Sequence, residues 1–292
     1  MALKKLDLEA LKNMVKNEPS NSDLLPKMVE KVFHCPVHGD VIDYVQEHEE
    51  PSHCHLCEDA KRKTQRALDD LMQNELARYR QFREFFGEYL PFSLVDHKQT
   101  FENFVLSDQG TTEKTKAQAL ALKTAQRFAM RFTDRMLEGH EKSQRGMIFH
   151  GLYGTGKTHL ASAIVQEVKK QGWHPLFWSI GDFFSLFKSG ASLAHLPLKH
   201  HLARVPLLVL DEVGRSTGSE FENNLLMGLL DMRSKLGNPT VFLTNLEGKQ
   251  YKEMLGGAIA SRSSAYFWSV AFSWNDFRKN QATKQTTYEE IF

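Results

Sequence analysis

Gly151-Leu152-Tyr153-Gly154-Thr155-Gly156-Lys157-Thr158 fits the pattern G-x-x-x-x-G-K-[ST] at every position and follows a short apolar run, Met147-Ile148-Phe149. This is the pattern of a P-loop. Its glycines let the backbone curl into a concave nest of inward N–H groups, and the helix begun by Lys157-Thr158-His159-Leu160-Ala161 aims its positive end at the same point. An anion belongs there. Gly151, Gly154, Thr155, Gly156, Lys157, Thr158 and His159 are therefore read as the set that binds ATP, with Lys157 on the β- and γ-phosphates and the Thr158 hydroxyl on Mg²⁺. A Gly-rich surface turn, the alternative, has no reason to supply that Lys-Thr pair between a strand and a helix.

Downstream, Pro175 to Ile180, Pro206 to Leu210, Pro239 to Asn245 and Tyr266 to Phe272 read as strands separated by helical segments. Such alternation predicts an α/β fold, a parallel sheet with helices on both faces and its ligand at the carboxyl ends of the strands. Asp211 ends one of these strands, where a carboxylate holds Mg²⁺ together with Thr158 while Glu212 orients and deprotonates the attacking water. A D-E pair there implies hydrolysis, although a helix-start carboxylate pair favoured by the dipole is the plainer alternative. Asn245, at the tip of the next strand, is placed to contact the γ-phosphate or the water, unless it is merely a turn residue.

The chain has 292 residues, 41% hydrophobic and 25% charged, with a formal charge of +1, so nucleic-acid contact requires local patches and not a globally basic surface. The opening Met1-Ala2-Leu3-Lys4-Lys5-Leu6-Asp7 lacks an apolar core of signal-peptide length, and no apolar run approaches a membrane span; a cytoplasmic protein with no membrane contact is expected.

All three cysteines fall in one window, as Cys35-Pro36-Val37-His38 and Cys54-His55-Leu56-Cys57. C-x2-H followed by C-x2-C is knuckle spacing, and a closed Cys3His shell makes a structural Zn²⁺ site. His38 is the preferred fourth ligand, with His34, His48, His53 and His55 crowding the same window as alternatives. A small hairpin is expected between the two halves, with Asp40 to Tyr44 as a strand.

Before the cysteines, Leu8, Leu11 and Val15 recur at helical spacing, and a second short helix is read from Pro26 through Met28, Val29, Val32 and Phe33. Beyond them, Asp59 to Phe86 predicts one long helix, with Lys61, Arg62, Lys63 and Arg66 either a solvated face or phosphate contacts. Pro91 marks the expected boundary between a small helical, zinc-binding, partner-interaction domain (residues 1–90) and the ATPase domain (residues 91–292). A polar loop, Ser107 to Thr112, then leads to a helix from about Glu113 to Glu138.

Gly154 to Ala161, Leu207 to Gly214, Pro239 to Leu246, Ser261-Arg262-Ser263 and Phe272-Ser273-Trp274-Asn275-Asp276-Phe277-Arg278 together resemble the DnaC/IstB family of AAA+ ATPases, over roughly Thr100 to Lys279. The resemblance implies an AAA+ fold with little or no C-terminal lid, Arg262 as an arginine finger acting on a neighbour's ATP, and Arg278 as a second sensor arginine. It also implies self-association through the ATPase domain, an N-terminal domain that grips a hexameric replicative helicase, and contact with single-stranded DNA. A helicase loader in DNA replication is thus the leading expectation. The runners-up are a transposase-helper ATPase of the IstB type and a nucleotide-gated zinc-knuckle adaptor with little turnover. Loader and initiator ATPases carry an inserted helix where this chain has Gly181 to Arg204; its Phe183, Phe184 and Phe187 at helical spacing are more often core, while with Lys188 and Lys199 as phosphate contacts they would form a DNA-facing surface.

Overall fold

Alternation along five short strands decides where the core lies. In a computed structural model, which describes residues 28–86, 98–106, 113–138, 146–188, 195–214, 219–246, 250 and 267–277, the chain divides into two compact units, Met1–Asp69 and Asp70–Phe292. The expected boundary at Pro91 lies outside the described residues, as do the expected helix through Leu8, Leu11 and Val15, the 107–112 loop, Arg262 and Arg278.

In the second unit, strands β3 (Gly146–Gly151), β4 (Leu176–Ser179), β5 (Leu208–Asp211), β6 (Thr240–Thr244) and β7 (Phe267–Phe272) form a parallel sheet in the order β4-β5-β6-β3-β7. Neighbouring residues point to opposite faces. Met147, Phe149, Phe177, Val209, Val241, Leu243 and Phe272 join one core cluster, whereas Ile148, Trp178, Leu208, Leu210 and Phe242 join another. Both faces are thus apolar, which is why the strands read as unbroken hydrophobic runs.

Helices cover each face. On the first lie α2 (Glu113–Met130), α3 (Phe132–Glu138) and α4 (Lys157–Lys170), through Ala121, Ala125, Phe128, Phe132, Leu160 and Ile164. The single helix expected over 113–138 is interrupted at Arg131. On the second face lie α5 (Ile180–Lys188), α6 (His195–Arg204) and α7 (Glu220–Lys235), through Phe183, Phe184, Phe187, Leu198, Leu202 and Leu229. The aromatics of the 181–204 stretch are therefore core, as their helical spacing allows, and Lys188 lies 2.6 Å from Glu222 in an ion pair. Arg233, 1% exposed, donates to the Leu202, Val205 and Pro239 carbonyls and the Thr240 hydroxyl, tying the end of α6 to the start of β6. No helix among the described residues is long and apolar enough to cross a membrane.

The first unit is organised differently. The helix expected around Met28 to Phe33 is instead a strand, β1 (Met28–Cys35), paired antiparallel with β2 (Gly39–Gln46). Val29, Lys31, Phe33 and Cys35 alternate with the more exposed Met28, Glu30, Val32 and His34, so the period is two, and Gly39 at φ 72 closes the turn. The hairpin thus surrounds Cys35 and His38: its second strand contains the expected Asp40 to Tyr44 and lies between the two halves of the knuckle, while its first strand precedes them. Cys54 and Cys57 sit at the start of the long helix α1 (His55–Phe86), which contains the boundary between the units.

Candidate nucleotide site and metal cluster

β3 ends at Gly151, whose φ of 125 only glycine adopts with ease, and the loop then turns through Gly154 (φ 67) and Gly156 (φ 91) into α4. No side chain caps α4, so its first-turn amides face the concavity. By contrast α7 closes its own N-terminus with a capping box between Ser219 and Glu222. An end left to a ligand marks the anion site. Lys157 is buried and rests its ammonium on the Gly151 and Leu152 carbonyls at 2.8 and 2.6 Å. Thr155 also donates to the Leu152 carbonyl, at 2.8 Å.

The sheet order brings the second cluster alongside. The Thr158 hydroxyl donates to Asp211 Oδ2 at 2.9 Å, so the two oxygens expected to share Mg²⁺ already lie together. Burial raises the Asp211 pKa, opposed by hydrogen bonds from the Glu212 amide and Thr158. Glu212 holds φ 59, the one described non-glycine residue with positive φ. Such left-handed backbone costs a side-chain-bearing residue on the order of 1–3 kcal/mol and recurs at functional sites. Asn245 follows β6 directly, with Thr244 opposite His150 in the register, which sets Asn245 beside the entry to the loop. His159 turns the other way, its Nε2 donating to the Thr100 carbonyl at 2.8 Å while its ring meets Phe104 edge-on.

In the first unit, Cys35, His38, Cys54 and Cys57 present four ligand atoms within 4.8 Å of one another. Cys35 Sγ lies 3.6 Å from Cys57 Sγ, and His38 Nδ1 lies 3.7, 3.5 and 3.4 Å from the sulfurs of Cys35, Cys54 and Cys57. A tetrahedron with ordinary zinc bond lengths has edges of about 3.8 Å between sulfurs and about 3.6 Å between sulfur and nitrogen. The donors fit that ion without rearrangement. The Val37 amide, then that of His38, lowers the Cys35 thiol to about 6, whereas the neighbouring Cys35 sulfur is the main reason Cys57 is pushed up to about 11. Of the other histidines, His34 pairs with Asp40 at 2.7 Å and His53 with Glu58 at 3.4 Å.

Comparison with known proteins identifies the family. Residues 48–263 match the family described as IstB-like ATP binding protein. This chain belongs to that family. Among its relatives, the replicative helicase loader DnaC of Buchnera aphidicola subsp. Schizaphis graminum (strain Sg) is 32% identical over 186 residues, covering 62% of this chain and 69% of the relative. The protein of the same name from Escherichia coli (strain K12) is 30% identical over 191 residues, 64% and 71% of the two chains. A solved structure described as the crystal structure of the DnaI aligns with a TM-score of 0.50 at 22% identity, over 61% of this chain and 90% of that one, a likeness of fold.

Cys35 and His38 precede the span matched to the IstB-like family, whereas the P-loop, Asp211, Glu212 and Asn245 lie within it. Two sets of contacts with the loop are not visible in the motifs themselves. Phe104 lies against Gly156, where a Cβ would collide with its ring, and Phe101 beside it is buried in the first core. The Phe-Glu-Asn-Phe spacing was visible, but only folding shows that it lies over the loop. The second is the segment after β7, whose Trp274 and Phe277 donate to the P-loop from outside.

Proposed function

We propose that this IstB-like protein is an ATP-hydrolysing loader of a replicative DNA helicase, engaging a hexameric helicase and single-stranded DNA in the cytoplasm. The observation that carries the reading is the convergence of Lys157, Thr158, Asp211 and Glu212 at the carboxyl ends of β3 and β5, in a chain whose relatives include proteins named as helicase loaders. In this reading the loop amides and Lys157 hold the β- and γ-phosphates, Lys157 leaving the Gly151 and Leu152 carbonyls to do so. Thr158 and Asp211 would hold Mg²⁺, which supplies neutralisation of phosphate charge when bound. Glu212 takes the proton of the attacking water, and Asn245 contacts that water or the γ-phosphate. Arg262, as a finger on a neighbour's ATP, and Arg278, as a second sensor, complete the site by self-association. Cys35, His38, Cys54 and Cys57 hold a structural Zn²⁺ in the N-terminal part, residues 1–90, which serves the partner, while residues 91–292 serve ATP.

The test is a pair of variants with a mixing control. Lys157→Ala loses ATP binding, whereas Glu212→Gln keeps ATP and loses turnover by about 10²–10⁴-fold. Arg262→Ala loses stimulated turnover by about 10³–10⁵-fold with its ATP affinity kept, and activity returns on mixing it with Lys157→Ala. Equal loss of binding in the Lys157 and Glu212 variants overturns the base assignment, and unassisted Arg262→Ala activity overturns the shared site. Co-purification with a hexameric helicase supports the loader. The family description favours one second reading, a transposase helper, which an ATP-dependent filament on duplex DNA without a helicase would establish.

A further inference from the structure

Carbonyl oxygens of the phosphate-binding loop accept hydrogen bonds from side chains and amides, and two of the donors come from far along the chain. Gly151 and Leu152 are served by Lys157, whereas the Thr155 carbonyl accepts from the Trp274 indole at 2.8 Å, 119 positions away, and the Gly154 carbonyl accepts from the Phe277 amide at 3.0 Å. Trp274 is 2% exposed and its ring lies 4.7 Å from that of Phe272, so the indole is fixed by packing before it reaches the loop. Asn275, between them, accepts from Lys114 at 3.0 Å, which fastens the segment to the first turn of α2. The Asp276 carboxylate lies directly against the Cα of Gly154, occupying the space a Cβ there would need. A negative group therefore lies against the backbone of a loop built for anions.

We propose that Trp274-Asn275-Asp276-Phe277 is an external brace of the nucleotide site, in which Trp274 positions the loop and Asp276 loosens its hold on nucleotide in proportion to the ligand's negative charge. The proposal rests on the nucleotide-binding reading above. A peptide carbonyl held from outside keeps the loop's amides directed inward, so the nest is preorganised and binding need not order it. Asp276 acts against this through space: its repulsion grows with each phosphate charge and weakens as salt screens it. A loop that is well formed yet mildly repelled from behind exchanges its nucleotide more readily than one that only attracts.

The experiment is equilibrium titration of the full chain with fluorescent ATP, ADP and AMP at low and high ionic strength. Asp276→Asn tightens ATP by about 3–10-fold, ADP by less and AMP least, and the gain shrinks as salt rises. Trp274→Phe, which keeps an aromatic ring but removes the donor, weakens all three nucleotides alike by about 2–10-fold at every salt concentration, and it lowers the nucleotide-free melting temperature because it also removes buried volume. An Asp276→Asn effect equal for the three nucleotides, insensitive to salt or of opposite sign overturns the electrostatic role, and wild-type affinity in Trp274→Phe overturns the positioning role. Should Trp274→Phe fail to fold, the half-buried Asp276 still decides the matter. A wild-type chain that binds none of the three removes the nucleotide reading and the brace together, whereas wild-type binding with an unresponsive Asp276→Asn removes the brace alone.

Discussion

The hairpin unit and the sheet unit reach stability by different routes. Around the sheet, two clusters of large apolar side chains fill both faces, with Trp173, Trp178, Phe149 and Phe242 among the fully buried. Among the described residues around the hairpin the buried apolar set is Cys35, Val41 and Cys54, with Phe33 and Cys57 partly buried against them, and two of the buried three are thiols. On its other face Val32 and Ile42, paired across the strands, remain 66% and 55% exposed. Ordering a residue's backbone costs about 1–2 kcal/mol, while burying a large apolar side chain returns about 1.5–3 kcal/mol. Three small side chains cannot hold two eight-residue strands. A Zn²⁺ held by the Cys3His cluster, whose donors have tetrahedral dimensions, would supply what apolar volume does not.

The sharpest way to break this contrast is Cys54→Ser. Zinc coordination contributes about 10–16 kcal/mol to small domains of this kind, so the variant should lose its metal and the hairpin's protection from proteolysis, with ATP affinity unchanged. Metal analysis and limited proteolysis report this, and an intact hairpin after chelation would remove the contrast. Next comes Arg233→Ala in the sheet unit, which strands the carbonyls of Leu202, Val205 and Pro239 and should cost about 3–5 kcal/mol in denaturant unfolding with zinc content retained. Arg233→Lys recovers only part, because one ammonium cannot span the same carbonyls.

The smallest effect is a pH dependence of the sheet unit. Burial raises the Glu75 carboxyl from 4.5 to about 7, against the pull of Arg78 and the His174 amide. Between those values the native state holds a proton the unfolded state has lost, so stability present below the lower value declines as pH rises through the upper one. Glu75→Gln should therefore be neutral near pH 4 and stabilising by up to about 3 kcal/mol near pH 8. A slope unchanged in the variant would place the titration elsewhere.

What the sequence revealed follows the range of the interactions involved. The glycine turn, the start of α4 and the strand that ends at Asp211 are legible because each depends on its neighbours. The Met28 to Phe33 helix was misread because Met28, Val29, Val32 and Phe33 fit a helical stripe as well as an alternating strand. The deciding facts, pairing with Gly39–Gln46 and the shared cluster with Cys54 and Cys57, lie outside that window. The knuckle spacing picks out the four side chains that gather within 4.8 Å, but not the hairpin around the first two of them. Trp274 and Asp276 belong to the stretch that carries the family resemblance, and nothing local reports that they reach Thr155 and Gly154.

The strand order also has a consequence for synthesis. β3 emerges from the ribosome midway along the chain, yet both of its hydrogen-bonded neighbours, β6 and β7, are encoded later, beginning at Thr240 and Phe267. Until then the P-loop strand has two open edges and its loop lacks the Phe272 wall, and such distant parallel pairing is slow to close. The nascent chain therefore passes through a long interval with an apolar central strand exposed, the condition that invites aggregation or chaperone capture. A truncation before Phe267 leaves that interval permanent.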